Sequence, residues 1–119
     1  MPTRILLIDK DEMTAAVKAL ELAGYDVIKA VNAVRGLKKL REVHPDLVIL
    51  GNPLPQSPGE ELVWRIRQAS YLPIVVIGSK EKETESLELG ADAYVTQPPN
   101  MSELVARVRA LLRRKMKQE

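Results

Sequence analysis

Short apolar runs and longer amphipathic stretches alternate along the chain. Runs rich in β-branched residues lie at 4–8, 25–31, 47–50, 74–77 and 93–95. Several are apolar on successive residues, as strands covered on both faces require. Between them, apolar residues recur at helical spacing. Met13, Ala16, Val17 and Leu20 form one stripe, and Val34, Leu37 and Leu40 a second. Leu62, Val63 and Ile66 form a third, and Leu104, Val105, Val108, Leu111 and Leu112 a further one. The faintest helix spans 81–89, with Leu87 and Leu89 as its anchors.

The punctuation agrees with this alternation. Gly24 and Gly90 follow helices as C-terminal signals. Asn32 can cap the second helix, and Asn100 or Ser102 can open the last. Pro45 separates the second helix from the third strand. The pattern predicts an α/β fold in which a strand–helix unit repeats five times. Right-handed crossovers then give a doubly wound parallel sheet with helices on both faces. The flavodoxin-like strand order 2-1-3-4-5 is the expected arrangement, with the working site at the carboxyl ends of strands 1 and 3.

Composition narrows the function. The 119 residues fit one domain, 1–119, in which about 113–119 reads as a basic tail or the start of a linker. There is no cysteine and only one histidine, His44, which excludes disulfides, thiolate metal sites, a Cys nucleophile and a His cluster. No run is long enough to span a bilayer, and no signal-peptide layout is seen, so a cytoplasmic location is expected. The net charge of +2 by itself implies no polyanion partner. Arg107, Arg109, Arg113, Arg114, Lys115 and Lys117 crowd the end. A solvated helix face accounts for them; a nucleic-acid footprint would lack aromatic interleaving and a reading motif.

The strand ends bring together Asp9, Lys10 and Asp11; Gly51 and Asn52; Gly78 and Ser79; and Gln97 and Pro98. Here the chain resembles a known family. Ile5-Leu6-Leu7-Ile8-Asp9-Lys10-Asp11-Glu12 is similar to the acidic turn ending the first strand of response-regulator receiver domains. Pro45-Asp46-Leu47-Val48-Ile49-Leu50 resembles the segment leading to their phosphorylated aspartate. The following loop keeps the family's length, with Pro55 and Gly59 in place. Residues 87–98 resemble the end of the family's fourth helix through its fifth strand, and the likeness runs from about Arg4 to Arg114.

The resemblance implies a two-component, phosphorelay signalling function, with a set of working parts that this chain mostly lacks. In the family an aspartate ends strand 3 and attacks a phosphohistidine, carboxylates after strand 1 hold Mg²⁺, a hydroxyl residue ends strand 4, and a lysine ends strand 5. A carboxylate is the nucleophile of aspartyl-phosphate chemistry, and Mg²⁺ needs hard oxygen ligands. Asp9 retains one strand-1 acid. Lys10 places a cation where the other stood, Gly51 replaces the nucleophile, Gly78 the hydroxyl residue, and Gln97 the lysine. The expectation is an atypical receiver, or pseudo-receiver, that is not an enzyme, binds no Mg²⁺ and acts through protein contacts. Lys10 would pair with Asp9 or Asp11, reach the emptied pocket, or point into solvent. Other readings are a small-anion or metabolite sensor using that pocket, and the receiver part of a DNA-binding transcriptional regulator.

Further expectations follow from the resemblance. Tyr94 matches the family's switch aromatic and is expected in one position. Gln97-Pro98 matches a cis peptide. Glu88, Asp92, Glu103, Arg107, Arg113 and Arg114 resemble a charged set through which helix 4, strand 5 and helix 5 form a symmetric dimer or meet a protein partner. Solvation of those charges is the alternative. Trp64 is read as half-buried packing and His44 as a surface helix end.

Overall fold

In a computed structural model, residues 2–51, 54 and 59–118 are described, without the side chains of 59, 60 and 116–118. Strands β1 (Arg4–Ile8), β2 (Asp26–Ala30), β3 (Leu47–Gly51), β4 (Ile74–Gly78) and β5 (Ala93–Thr96) form one sheet. All pairings are parallel, in the order 2-1-3-4-5. Between and after them lie α1 (Thr14–Leu22), α2 (Ala33–Val43), α3 (Gly59–Ala69), α4 (Glu83–Glu88) and α5 (Met101–Gln118). A short 3₁₀ turn, Lys80–Lys82, leads into α4. Residues 113–118, read as part of a basic tail or the start of a linker, lie within α5.

The successive apolar residues of the strands divide between two cores, because alternate side chains point to opposite faces. Leu6, Ile8, Val48, Leu50, Ile74 and Val76 meet Ala33 of α2 and Leu62, Val63 and Ile66 of α3. Ile5, Leu7, Leu47, Ile49, Val75 and Ile77 meet Ala16 and Leu20 of α1 and Leu104, Val108 and Leu111 of α5. Each fully buried Leu or Ile side chain contributes about 1.5–3 kcal/mol through water exclusion. Edge strand β2 is only partly covered, as its mixed sequence Asp-Val-Ile-Lys-Ala allows.

Helix ends follow the sequence signals. Asn32 Oδ1 accepts from Arg35 N at 2.8 Å, and Asn100 Oδ1 accepts from Glu103 N at 2.9 Å. Asn100, not Ser102, therefore opens α5. Gly24 and Gly90 both adopt positive φ, at 99° and 117°. Two non-glycine residues do the same without a sequence signal: Met13 at the N-cap of α1 and His44 at the C-cap of α2. Met13 thus precedes α1 but still packs on the core.

Two helices each turn one expected core residue outward, while Leu37 and Leu40 of α2 pack on the core as expected. On α2, Ala33 and Gly36 are buried while Val34 is 76% exposed. A methyl group on Gly36 would stand 2.4 Å from Ile8 Cδ1, so the glycine lets α2 settle against the end of β1. On α4, Leu87 is exposed and Ser86 is fully buried. Leu89, just beyond the helix, does pack on the core. Trp64 is half exposed, and His44 is exposed as expected.

One arginine ties three segments together. The Arg67 guanidinium donates to Leu72 O at 2.8 Å and Gly90 O at 2.8 Å, and pairs with Asp92 Oδ2 at 2.7 Å. Asp92 Oδ2 also accepts from Ile74 N at 2.8 Å. The end of α3, the start of β4 and the turn before β5 are thereby joined.

The buried Ser86 hydroxyl has no hydrogen-bond partner among the described residues. An unmet buried hydroxyl opposes folding. Ser86→Ala is therefore expected to stabilise the domain by about 1 kcal/mol in urea unfolding; a loss of stability would show that the hydroxyl is satisfied in solution.

Candidate functional site

The carboxyl ends of β1 and β3 lie side by side, with Ile8 in register with Leu50. Continuing that register sets Asp9 beside Gly51. Asp9 is 4% exposed. Its amide donates to Ala30 O at 3.0 Å, and its Oδ1 accepts from Asp11 N at 2.8 Å. The other carboxylate oxygen fills the space beside Gly51. A Cβ built on Gly51 would lie 1.8 Å from Asp9 Oδ2 and 2.5 Å from its Cγ. Such distances are far inside van der Waals contact, so any side chain at 51 requires Asp9 to leave. The glycine and the retained acid form one packed unit.

The remaining strand-end residues are arranged around this unit with less contact. Lys10 is exposed and forms no ion pair with Asp9 or Asp11. Of the three positions open to it, the structure selects solvent. The cation that does reach the β1–α1 turn is Lys29, whose Nζ donates to Asp11 O. Sequence reasoning passed over Lys29; its signal was a lone cation inside the apolar run of β2. Gly78 is buried at the end of β4, and its carbonyl accepts from Gln97 N at 2.9 Å. Gln97 itself is exposed, and the Gln97-Pro98 peptide is cis. Asn52 and Pro55 lie outside the described residues.

Tyr94 is buried, 6% exposed, and its hydroxyl donates to the Ser79 carbonyl. The phenol therefore links the core of β5 to the strand-end loop after β4. Its polar tip is satisfied, which a buried tyrosine needs.

The charged residues of the α4, β5 and α5 face remain at the surface, and one of them is also engaged within the domain. Glu88, Glu103, Arg107, Arg113 and Arg114 are exposed and form no ion pair among the described residues. Asp92, expected among them, is instead bound within the domain by Arg67 and Ile74 N. Its place at the start of β5 puts the carboxylate over the Arg67 guanidinium. Lys115 also turns inward, its Nζ 3.6 Å from Asp46 Oδ1.

Residues 5–109 match the response regulator receiver domain. The chain belongs to this family. It is 40% identical over 120 residues to the alkaline phosphatase synthesis transcriptional regulatory protein PhoP of Bacillus subtilis, covering 96% of this chain and 50% of that protein. It is 37% identical over 120 residues to the phosphate regulon transcriptional regulatory protein PhoB of Pseudomonas aeruginosa, covering 92% of this chain and 52% of that protein. A CheY-like receiver domain protein from Methanospirillum hungatei shares 28% identity and superposes with a TM-score of 0.92 over 100% of both chains. This receiver domain spans about half the length of the curated relatives it matches. Among its described residues, no three His, Asp or Glu side chains are grouped to hold a metal ion, and no helix is long and apolar enough to cross a membrane.

The contact between Asp9 and position 51 has a measurable consequence. Gly51→Ala is expected to cost about 1–3 kcal/mol, the range for overfilled packing. Asp9→Ala in the same chain should remove much of that added cost, giving a favourable coupling in a double-mutant cycle. Additive effects in denaturant unfolding would show that the two positions do not share this space.

Proposed function

We propose that this receiver domain transmits its signal through protein contacts and accepts no phosphoryl group. One observation carries the reading: the space beside position 51 is filled by the Asp9 carboxylate, with no nucleophile at 51. Asp9 cannot serve as a ready substitute, because its Oδ1 is engaged by Asp11 N and the side chain is buried. A carboxylate buried in this way, with one oxygen engaged and the other packed beside Gly51, lacks the open approach path that in-line attack on phosphorus needs.

Mg²⁺ does not fit the same residues. One acid is turned into the packing beside Gly51, the adjacent position is the cation Lys10, and Asp11 is exposed and offers its carbonyl to Lys29. A hard cation needs several oxygen ligands converging on one point. No catalytic role is assigned to any residue of this site.

Contacts would run through the face of α4, β5 and α5. Glu88, Glu103, Arg107, Arg113 and Arg114 carry both signs on that surface without internal partners, which suits a second copy of the chain or another protein. With Asp92 committed to Arg67, any ion pairing there uses the other acids. A closed two-fold contact satisfies such a mixed-sign surface with itself. The setting is read as a transcriptional regulator, since the two curated relatives described above carry that name and are about twice as long.

Incubation with acetyl phosphate and Mg²⁺ should leave the intact mass unchanged. A phosphoryl adduct on Asp9 or Asp11 would overturn the reading. Gly51→Asp alone should also remain unmodified or nearly so, because the new carboxylate must compete with Asp9 for its place. For the contact face, light scattering should show self-association that weakens as salt rises. Association indifferent to salt would argue against charge control.

A further inference from the structure

A second charged feature lies at the other side of the molecule, away from α4 and α5. The edge strand β2 and helix α2 border a groove of about 470 Å³. Its walls carry the cations Lys29, Arg35, Lys38 and Lys39, against the single acid Glu42. The chain as a whole is nearly balanced, with 18 basic and 16 acidic residues, so this concentration is local.

The spacing shows that the cluster is one surface. Arg35, Lys38, Lys39 and Glu42 stand at i, i+3, i+4 and i+7, which places them on one face of α2. The inward packing of Ala33 and Gly36 fixes that face outward and toward β2. Lys29 joins it from the strand, its Nζ held by Asp11 O. Arg35, Lys38 and Lys39 form no ion pair among the described residues. Like charges at i,i+3 and i,i+4 repel, and the first turn of α2 contains no acid to relieve them. Glu42 offsets part of this repulsion, and an anion entering the groove would offset more.

We propose that this groove binds a small ligand carrying two or more linked phosphate groups. Several features favour that chemistry. The volume falls in the range of small-molecule sites. The excess of cations calls for more than one negative charge within a short distance, which linked phosphates provide. Lysine and arginine donors match phosphoryl oxygens, the guanidinium by paired hydrogen bonds and the ammonium as a point charge. The half-exposed Val31 on the same wall offers an apolar contact for a base or ring beside the phosphates. The site is separate from positions 9 and 51 and holds whether or not the domain is phosphorylated. A link to the strand ends is Lys29, through which an anion would compete with Asp11 O.

Sodium tripolyphosphate is the first probe, titrated into the full chain by calorimetry at low salt and followed in parallel by thermal unfolding. Saturable one-to-one binding is expected, with a rise in Tm and weakening as salt increases. Lys38→Ala with Lys39→Ala should weaken binding about tenfold or more, while circular dichroism shows the fold retained. Arg113→Ala with Arg114→Ala should leave it unchanged. Tighter binding of ADP than of pyrophosphate would assign a nucleotide, and equal binding an inorganic phosphate chain. The proposal fails if binding does not saturate, or if the α2 pair binds like the parent chain. It also fails if the α5 pair abolishes binding, or if an oligoglutamate peptide binds more tightly than tripolyphosphate.

Discussion

The whole arrangement rests on burying parallel strands from both sides. All residues of β3 and β4 are buried, and their side chains alternate between two separate cores. A strand of that kind cannot face water, so helices must cover both faces, and the chain must cross from one to the other. The strand order then reverses beside β1, and β1 and β3 end side by side there. Asp9 meets Gly51 because of that topology, although 42 positions of sequence separate them.

This constraint explains why the fold could be read from the chain. Continuous runs such as Leu47-Val48-Ile49-Leu50 and Ile74-Val75-Val76-Ile77 leave little choice of secondary structure, and Asn32, Gly24 and Gly90 punctuate the helices as their chemistry dictates. Periodicity was less informative where a small residue must face inward. Val34 and Leu87 have the right character for a core, yet Gly36 and Ser86 occupy the inner positions. Close approach to Ile8 selects the glycine, a matter of distance that hydrophobicity does not encode.

The strand-end site was legible in its residues and not in their contacts. Gly51, Gln97 and Lys10 at the strand ends are matters of residue identity along the chain. The contact of Asp9 with Gly51 depends on packing across two strands. The same holds for Arg67, which no motif marks, yet which engages the exposed Asp92 by an ion pair and shared backbone contacts. Long side chains find partners far away in sequence, and single-sequence patterns see only local spacing. The left-handed backbone at Met13, which packs on the core, is likewise invisible to local spacing.

The glycine at 36 has a consequence beyond its own packing. By allowing α2 to close on the end of β1, it seats the Ile8 side chain directly against the helix backbone. The outer residues of α2 are therefore mounted on a helix that rests on the fully buried side chain of Ile8. A push on that outer surface would be passed to Ile8, the residue next to Asp9, with little loss. In mechanical terms α2 behaves as a short lever whose fulcrum is a missing methyl group.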